Sequence, residues 1–504
     1  MTAHYDVVII GSGAGGGTMA RALADSGARI LVLERGEAVP QEDDNWDAWA
    51  VWNRKKYRDK ELWIDDTGTP FLPYTHYNVG GNSKFWGSVL YRLRKEDFGP
   101  LELMDGLSPA WPIQYEDLAP YYDQAEALYH VHGATDGDPT EPPRGAYPYP
   151  PIPHAPGMAK LVEKMRGLGL HPSALPLGVI HPNEPGGCVL CNTCNSFPCK
   201  IHRKSDAEVC CVLPAQQYPN VEVWTGAKAE RILTTPSGTV AEAVDVLHRG
   251  ERKRIHAGTI VVSCGAVNSA ALLLKSANDR HPNGLANSSG LVGARYMAHL
   301  ATMMQTFHPF RVNHDVFQKT VAINDFYLPG PGRPYPLGQI QAQGRTHGVM
   351  VYTVAPVLPV SLCDAWVARG VDWLAMSEDL PSPKNRVMVD AQGRIVLKYQ
   401  PNNVRAHRQL VKETKRVMRQ LGFWVTMTYN HGNRNTTHQC GTLVFGSDPA
   451  QSVLDPFCRA HDLDNLYVVD ASFFPSSAAV NPALTIIAQA LRVADHLRPR
   501  LKGH

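Results

Sequence analysis

Three glycines, one carboxylate and one histidine hold most of the chemical information in this chain. Gly11, Gly13 and Gly16 form G-x-G-x-x-G inside YDVVIIGSGAGGGTMARALADSGARILVLERG. Absent side chains at a strand-to-helix turn let the backbone approach a pyrophosphate, which the helix N-terminus then holds. Glu34 follows at the end of the next apolar run, where a carboxylate can accept from a ribose 2′-hydroxyl. Far along the chain, His438 stands in NTTHQCGTLVFG, residues 435–446, among glycines and small polar residues. An imidazole, with an ordinary pKa of about 6.5, suits the work of a base near neutrality. A lone histidine serves equally well as a hydrogen-bonded structural residue.

The elements around these residues must hold them in place. Residues 5–10 suit a buried parallel strand, 18–25 a helix, and 29–33 a second strand. With strand, helix, strand and acid in register, the segment is expected to bind a dinucleotide. The glycines alone do not separate NAD from FAD. The stretch YNVGGNSKFWGSVLYRLRKEDF, residues 77–98, supplies a second glycine turn that permits close backbone approach. NVEVWTGAKAERIL and GTIVVSCGAVNSAALLLKSA read as strands flanking another glycine turn, so the nucleotide-binding part resumes after residue 205. NLYVVDASFFPSSAAVNPALTIIAQALRVADHL reads as strand, loop and helix, with Asn481 as N-cap and Pro482 as first helical residue.

Composition narrows the function classes. The chain has 504 residues, 44% hydrophobic and 19% charged, long enough for two large substructures. A net charge of +2 without a dense basic block gives no footprint for nucleic acid or anionic membrane. No apolar run reaches the ~18 residues of a membrane-spanning helix, and MTAHYDVVII carries no signal-peptide pattern. The expected location is cytoplasmic and the expected partners are small molecules. Cys188, Cys191, Cys194 and Cys199 are spaced C-x2-C-x2-C-x4-C, near the iron–sulfur run of bacterial ferredoxins, but Pro198 precedes the last cysteine instead of following it. Free thiols are expected, with no metal, and a cluster or zinc as the alternatives.

Several segments are less specific. Residues 136–157 are Pro-rich and read as a stiff connector, and 111–133 as a helix with an aromatic face. The stretch FRVNHDVFQKTVAINDFYLPGPGRPYPLGQIQAQGR reads as a mobile substrate loop. In it Gln339, Gln341, Gln343 and Arg345 recur at every second position, so an extended backbone turns all four to one face. With Asn324 and Tyr327 they are candidates for a polar substrate, against the plainer reading of a solvated strand face. Near His438, the polar residues His431, Asn435 and Gln439 are also within reach of a substrate.

Taken together, GSGAGG with Glu34, VGGNS, SCGAVNSAALLL, HQCGTLVFG, SVLDPFCRAHDLDNLYVVDASFFPS and NPALTIIAQALRVADHL make the chain resemble the glucose-methanol-choline (GMC) oxidoreductases over essentially its whole length. The resemblance implies an α/β fold with a Rossmann-type FAD-binding domain in three pieces, 1–100, 205–300 and 436–504. It also implies a substrate domain on a mostly antiparallel sheet from 101–204 and 301–435. By the same resemblance Gly11, Gly13, Ala14, Gly16, Glu34, Arg35, Gly80, Gly81, Asn82, Ala227, Cys264, Gly265, Asp470, Ala471 and Pro482 surround FAD. His438 and Asn481 then form the catalytic His/Asn pair, with His438 the base for a substrate hydroxyl. No histidine stands in SKFWGSV, where some members attach the flavin, so FAD is expected to be non-covalent. The chain looks most similar to the pyranose-oxidase-like and glycoside 3-oxidase group. That implies oxidation of a secondary ring hydroxyl, C3 or C2, of a sugar or plant C-glycoside, with oxygen or a quinone-like acceptor. The alternative is the catalytic subunit of a sugar dehydrogenase that feeds an iron–sulfur and cytochrome partner.

Overall fold

The computed structural model describes residues 4–430 and 432–501. Strand β1 (His4–Ile10), helix α1 (Ala14–Leu23) and strand β2 (Ile30–Leu33) form the expected unit. The apolar run of β1 is buried on both faces, with Val7, Val8 and Ile9 fully inaccessible, as a central parallel strand requires. β1 pairs in parallel with β2 on one side and with Glu251–Val262 on the other. Val221–Trp224 extends the sheet beyond β2, and Leu466–Val468 runs parallel to the end of Glu251–Val262. The first half of that long strand instead pairs antiparallel with Ala241–His248, which pairs with Ala227–Thr234.

One row of this register positions the site. Trp224, Leu33, Ile10, Val262 and Val468 lie side by side across five parallel strands. Each is the last residue of its strand, so the chain leaves the sheet along one carboxyl edge, where open α/β sheets bind their ligands. Gly11, Glu34, Ser263 and Val469 are the next residues out. Helices cover the faces: α1 packs on the C-terminal helix Ala483–Leu501, which also meets Tyr115–Leu128. Tyr122 from the latter hydrogen-bonds Thr485 at 2.8 Å, so the aromatic face expected at 111–133 is a core face. Beyond SCG, residues Ala266–Lys275 form a helix, which corrects the reading of that stretch as strand. A short apolar run of this kind has no period that separates the two.

A second sheet of six strands runs in the order Val425–Tyr429, Leu300–Phe307, Gly370–Ser377, Gln339–Ala342, Val321–Ile323 and Pro172–Ala174, with antiparallel neighbours. Helix Val404–Gln420 seals one face, burying Ala406, Leu410, Val417 and Met418 against Met304, Ile340, Trp373 and Ala375. Alternation then turns Gln305, Gln339, Gln341 and Leu374 to the opposite face. Two of these strands, Val321–Ile323 and Gln339–Ala342, lie inside the stretch expected to be a mobile loop, and both are fully buried. Hydrophobic residues in that stretch fill the core, and the reading as loop is corrected. A smaller four-stranded sheet joins Trp63–Ile64 and Pro70–Phe71 to Arg386–Val389 and Ile395–Lys398. Among the described residues no helix is long and apolar enough to cross a membrane.

Glu378, just past Gly370–Ser377, is buried with its carboxyl accepting from Ser108 Oγ at 2.5 Å. Burial pushes its pKa up to about 8, opposed by the Ser108 hydrogen bond and reinforced by Asp97 and Asp379. The folded form therefore holds a proton that the unfolded chain releases above its ordinary value, so this contribution to stability is lost as pH rises toward 8. Glu378→Gln keeps the hydrogen bond without the titration. Urea midpoints of the two proteins are expected to diverge from pH 6 to 8, with the wild type losing ground; parallel profiles would contradict this.

Candidate active site

Each fingerprint glycine has its own job. Gly11 has φ of +100°, and a Cβ there would lie 2.2 Å from the Ser263 carbonyl oxygen. Gly16 lets α1 close on the strand, since a Cβ would lie 2.0 Å from the Gly11 carbonyl oxygen. Gly13 differs: it has ordinary φ, and a Cβ placed on it meets no described atom within 4 Å. It is the N-cap of α1, with Ala14 the first helical residue. Open space at a helix N-terminus is what a pyrophosphate needs. The Gly80–Gly81 turn, both residues at positive φ, folds over this point, and Gly80 N–H donates to Ser12 Oγ at 3.1 Å. Asn82 on the same turn accepts from the His76 backbone N–H at 2.8 Å.

Glu34 is buried beside the fingerprint, accepting from Ser12 Oγ at 2.6 Å and Gly36 N–H at 3.0 Å. Ala227 N–H donates to the Glu34 carbonyl at 2.8 Å, which fixes the strand that carries it. Arg35 lies over the Tyr77 ring at 3.6 Å and pairs with Glu61 at 2.9 Å. Asp470 accepts from Gly265 N–H at 3.0 Å and from Ser472 N–H at 2.9 Å, locking the loops after two strands together. Cys264, between Ser263 and Gly265, has its N–H bonded to Ser269 Oγ at 3.0 Å. Ala471 accepts from Gly441 N–H at 3.1 Å, tying this edge to the His438 turn. Ser263 Oγ and Asn268 Nδ2, on the loop and helix that follow Glu251–Val262, are buried without a hydrogen-bond partner among the described residues. Buried polar atoms are normally paired, so this set marks a place for a polar ligand.

His438 sits at φ of +51°, a left-handed conformation uncommon for a residue with a side chain. Its turn is held by neighbours. Gln439 accepts from Val267 N–H at 3.0 Å and donates to the Thr436 carbonyl at 3.0 Å. Asn435 donates to the His299 carbonyl at 2.9 Å and accepts from Thr437 Oγ1 at 2.7 Å. Gln439 and Asn435 are thus committed to shaping the turn, and His431 lies outside the described residues. The His438 Nδ1 is 3.0 Å from Nδ1 of His299, whose Nε2 is 2.9 Å from the Ser477 carbonyl. Burial, then the His299 ring, then Lys319 push the His438 pKa down to about 3, which corrects the ordinary value assumed from sequence. The residue as a whole is half-buried, and its ring is neutral across the physiological range.

Asn481 falls one residue short of the expected cap. The final helix begins at Ala483, and Ile486 N–H donates to the Pro482 carbonyl at 3.2 Å, so Pro482 holds the cap position. Asn481 is left with a buried side chain whose amide oxygen has no partner among the described residues.

The remaining candidates divide. Asn324 donates to Asp138 at 2.5 Å and accepts from Gln339 Nε2 at 2.8 Å. Tyr327 donates to Asp97 at 2.8 Å and its oxygen accepts from Ala479 N–H at 3.2 Å. These are bonds of a buried polar network, and the solvated strand face is overturned: Gln339, Gln341 and Gln343 are all nearly inaccessible. Gln343 accepts from Asn195, whose Oδ1 accepts from Lys319 Nζ at 2.5 Å. Arg345 donates to the Asn313 carbonyl at 3.2 Å. Gln341 Oε1 and Gln305 Nε2 stay unpartnered among the described residues, on the sheet face turned from the sealing helix. Sequence reading missed His299, Lys319 and Gln305. His299 and His438 meet across 139 positions, so no spacing could have linked them.

Cys188, Cys191, Cys194 and Cys199 all line one cavity of about 20 Å³, with Trp46, Val179, Lys204 and Phe317. All four are free thiols. Among the described residues no three His, Cys, Asp or Glu side chains close tightly enough to hold one metal ion.

This nucleotide-binding edge joined to an antiparallel second sheet defines a class. The chain belongs to the GMC oxidoreductase family, whose models match residues 151–301 and 381–490. It is an FAD-dependent oxidoreductase acting on CH–OH groups. The chain is 31% identical to paromamine 6'-oxidase of Streptomyces fradiae, over 97% of this chain and 90% of that protein. It is also 31% identical to 6'''-hydroxyparomomycin C oxidase of Streptomyces lividus, over 99% and 93%. The fructose dehydrogenase large subunit of Gluconobacter japonicus is 26% identical over 99% of both chains. Solved structures share the fold: pyridoxine 4-oxidase from Mesorbium loti has a TM-score of 0.67 at 18% identity, covering 97% of this chain and 98% of that one. Formate oxidase has a TM-score of 0.68 at 16% identity, covering 99% of both.

Proposed function

We propose that the protein oxidises a hydroxyl of a sugar or glycoside, with His438 as base and Asn481 as its partner. The observation that carries the reading is a neutral imidazole at His438 linked through His299 to the Ser477 carbonyl, on the loop that leads to Asn481, whose buried amide oxygen lacks a partner among the described residues. The residues fit FAD. The open space at Gly13 and the N-terminus of α1 would take the pyrophosphate, and Glu34 the ribose; no covalent attachment is needed. FAD, when bound, supplies the hydride acceptor. His438 takes the hydroxyl proton as the carbinol hydride departs, and the Asn481 amide holds the substrate oxygen by a hydrogen bond without competing for that proton.

A polar substrate is supported by the free amide atoms of Gln341 and Gln305, since unpaired polar groups discriminate strongly against partners that leave them so. The relatives named for paromamine and fructose oxidation point the same way. A secondary ring hydroxyl, at C3 or C2, is our reading of position, and a C-glycoside our reading of the aglycone, in a cytoplasmic enzyme with oxygen or a quinone-like acceptor. The test is to mix the yellow holoprotein anaerobically with glucose, O-glucosides, C-glucosides and cholesterol, follow the flavin absorbance, and locate the new carbonyl by NMR. Bleaching by a sugar with a ring ketone as product supports the reading. Bleaching by cholesterol alone contradicts it, and an aldehyde at position 6 corrects the regiochemistry.

A second reading has its own observation. Four free thiols line one small cavity, and among the described residues no three of them close on a single ion, so a sulfur-ligated iron cluster, whose bridging sulfides span separated thiolates, suits them better than zinc. It makes the chain a dehydrogenase subunit that passes electrons to a cytochrome partner. Iron and acid-labile sulfide in the purified protein would establish it, and their absence from anaerobically prepared protein would remove it.

A further inference from the structure

We propose that His299 is a positioning residue that fixes His438 as the tautomer protonated on Nδ1, leaving the Nε2 lone pair open for the substrate proton. This rests on the reading of His438 as the base.

The argument follows the direction of each hydrogen bond. A backbone carbonyl only accepts, so the contact of 2.9 Å between His299 Nε2 and the Ser477 oxygen places a proton on Nε2. A neutral imidazole has one ring proton, so His299 Nδ1 is then a bare acceptor. It lies 3.0 Å from His438 Nδ1, a distance at which two lone pairs repel and two N–H groups collide. One proton must stand between them, and His438 Nδ1 is its only remaining owner. A second proton on His299, at Nδ1, would collide with the His438 N–H, in keeping with the push of burial on His299, down to about 4. The ring planes stand at 88° with centroids 5.0 Å apart, so the rings are not stacked and meet through the two nitrogens.

The framework around the pair is rigid. His299 is 1% exposed and immediately precedes strand Leu300–Phe307. Its carbonyl is held by Asn435, from the same turn that carries His438. Ser477 Oγ accepts from Asp379 N–H at 3.0 Å and donates to the Asp379 carbonyl at 3.1 Å, which anchors the far end of the chain. In water a neutral imidazole exchanges between two tautomers, and the wrong one would turn an N–H toward the substrate hydroxyl. Where a base is left in the wrong tautomer, as in a serine-protease triad lacking its carboxylate, the rate falls about 10⁴-fold.

The test needs no substrate. In holoprotein labelled with ¹⁵N-histidine, nitrogen shifts report which ring atom carries hydrogen, and His438→Asn identifies the His438 signals by their loss. The wild type is expected to show His438 protonated on Nδ1 and bare on Nε2. His299→Leu removes the acceptor and is expected to move His438 toward the other tautomer. His299→Asn has nearly the same shape as leucine but presents an acceptor, and is expected to restore the wild-type pattern. A proton on His438 Nε2 in the wild type, an unchanged pattern in His299→Leu, or an asparagine variant that behaves as leucine would each overturn the proposal. If the leucine variant does not fold, the wild-type and asparagine spectra still decide. Should His438→Asn turn over glucosides at the wild-type rate, the base reading fails while the tautomer result stands by itself.

Discussion

Replacing His438 by asparagine is expected to slow anaerobic flavin reduction by sugar roughly 10²–10⁴-fold, the usual contribution of a positioned base. The choice of asparagine isolates the chemistry. It tolerates the left-handed backbone at this position better than other residues with side chains. Its amide can still donate to His299 Nδ1, so the turn keeps its anchor. What is lost is the lone pair that accepts the proton. FAD content and thermal stability should therefore stay near those of the wild type while stopped-flow reduction collapses. A variant that reduces its flavin within a few-fold of the wild type would remove His438 from the mechanism. Because burial pushes the His438 pKa down to about 3, no acid limb from this group is expected in the wild-type rate profile above about pH 4.

The second large effect separates two glycines that stand two positions apart. Gly13→Ala adds a methyl in open space with ordinary φ, so the fold should be untouched. FAD affinity should drop, because the methyl occupies the approach of the pyrophosphate. Loss of one charge-assisted hydrogen bond, about 1.5–3 kcal/mol, corresponds to roughly 10- to 100-fold. Gly15→Ala instead places Cβ 2.0 Å from the Val469 carbonyl oxygen, inside the sheet edge. Backbone cannot move aside there without shifting a strand, and the variant should lose thermal stability and flavin together. Thermal melts and FAD released on gel filtration distinguish the two. Equal loss of stability in both variants would mean that the crevice lies elsewhere.

Legibility in the sequence followed the range of the interactions. β1, α1 and β2 rest on local period and turn chemistry; α1 opens at Ala14, four residues before the helix read from the sequence, and Gly11 and Gly16 make the close backbone approaches that such a turn requires. Apart from Ile10 and Leu33, the row of strand ends at Trp224, Leu33, Ile10, Val262 and Val468 joins residues too distant in the chain for local pattern to link them. Polar residues misled most. Alternation correctly put Gln339 and Gln341 on one face, but polarity suggested solvent, and Asn324 with its Asp138 partner buries that face instead. Whether a glutamine is wet depends on a partner that no periodicity reveals. The His299 contact with His438 was invisible for the same reason. The His438 pKa was misjudged because desolvation is a property of the packed site and not of the residue.

The central claim is that His438 and Asn481 together face the hydride-accepting edge of the flavin. A crystal structure of the FAD-loaded protein tests it most directly. The account predicts His438 Nε2 and the Asn481 amide both turned to that edge, within about 3–4 Å of a common point where a substrate carbinol can sit. Either side chain pointing away from the flavin, or a flavin bound with its reactive edge elsewhere, would contradict it.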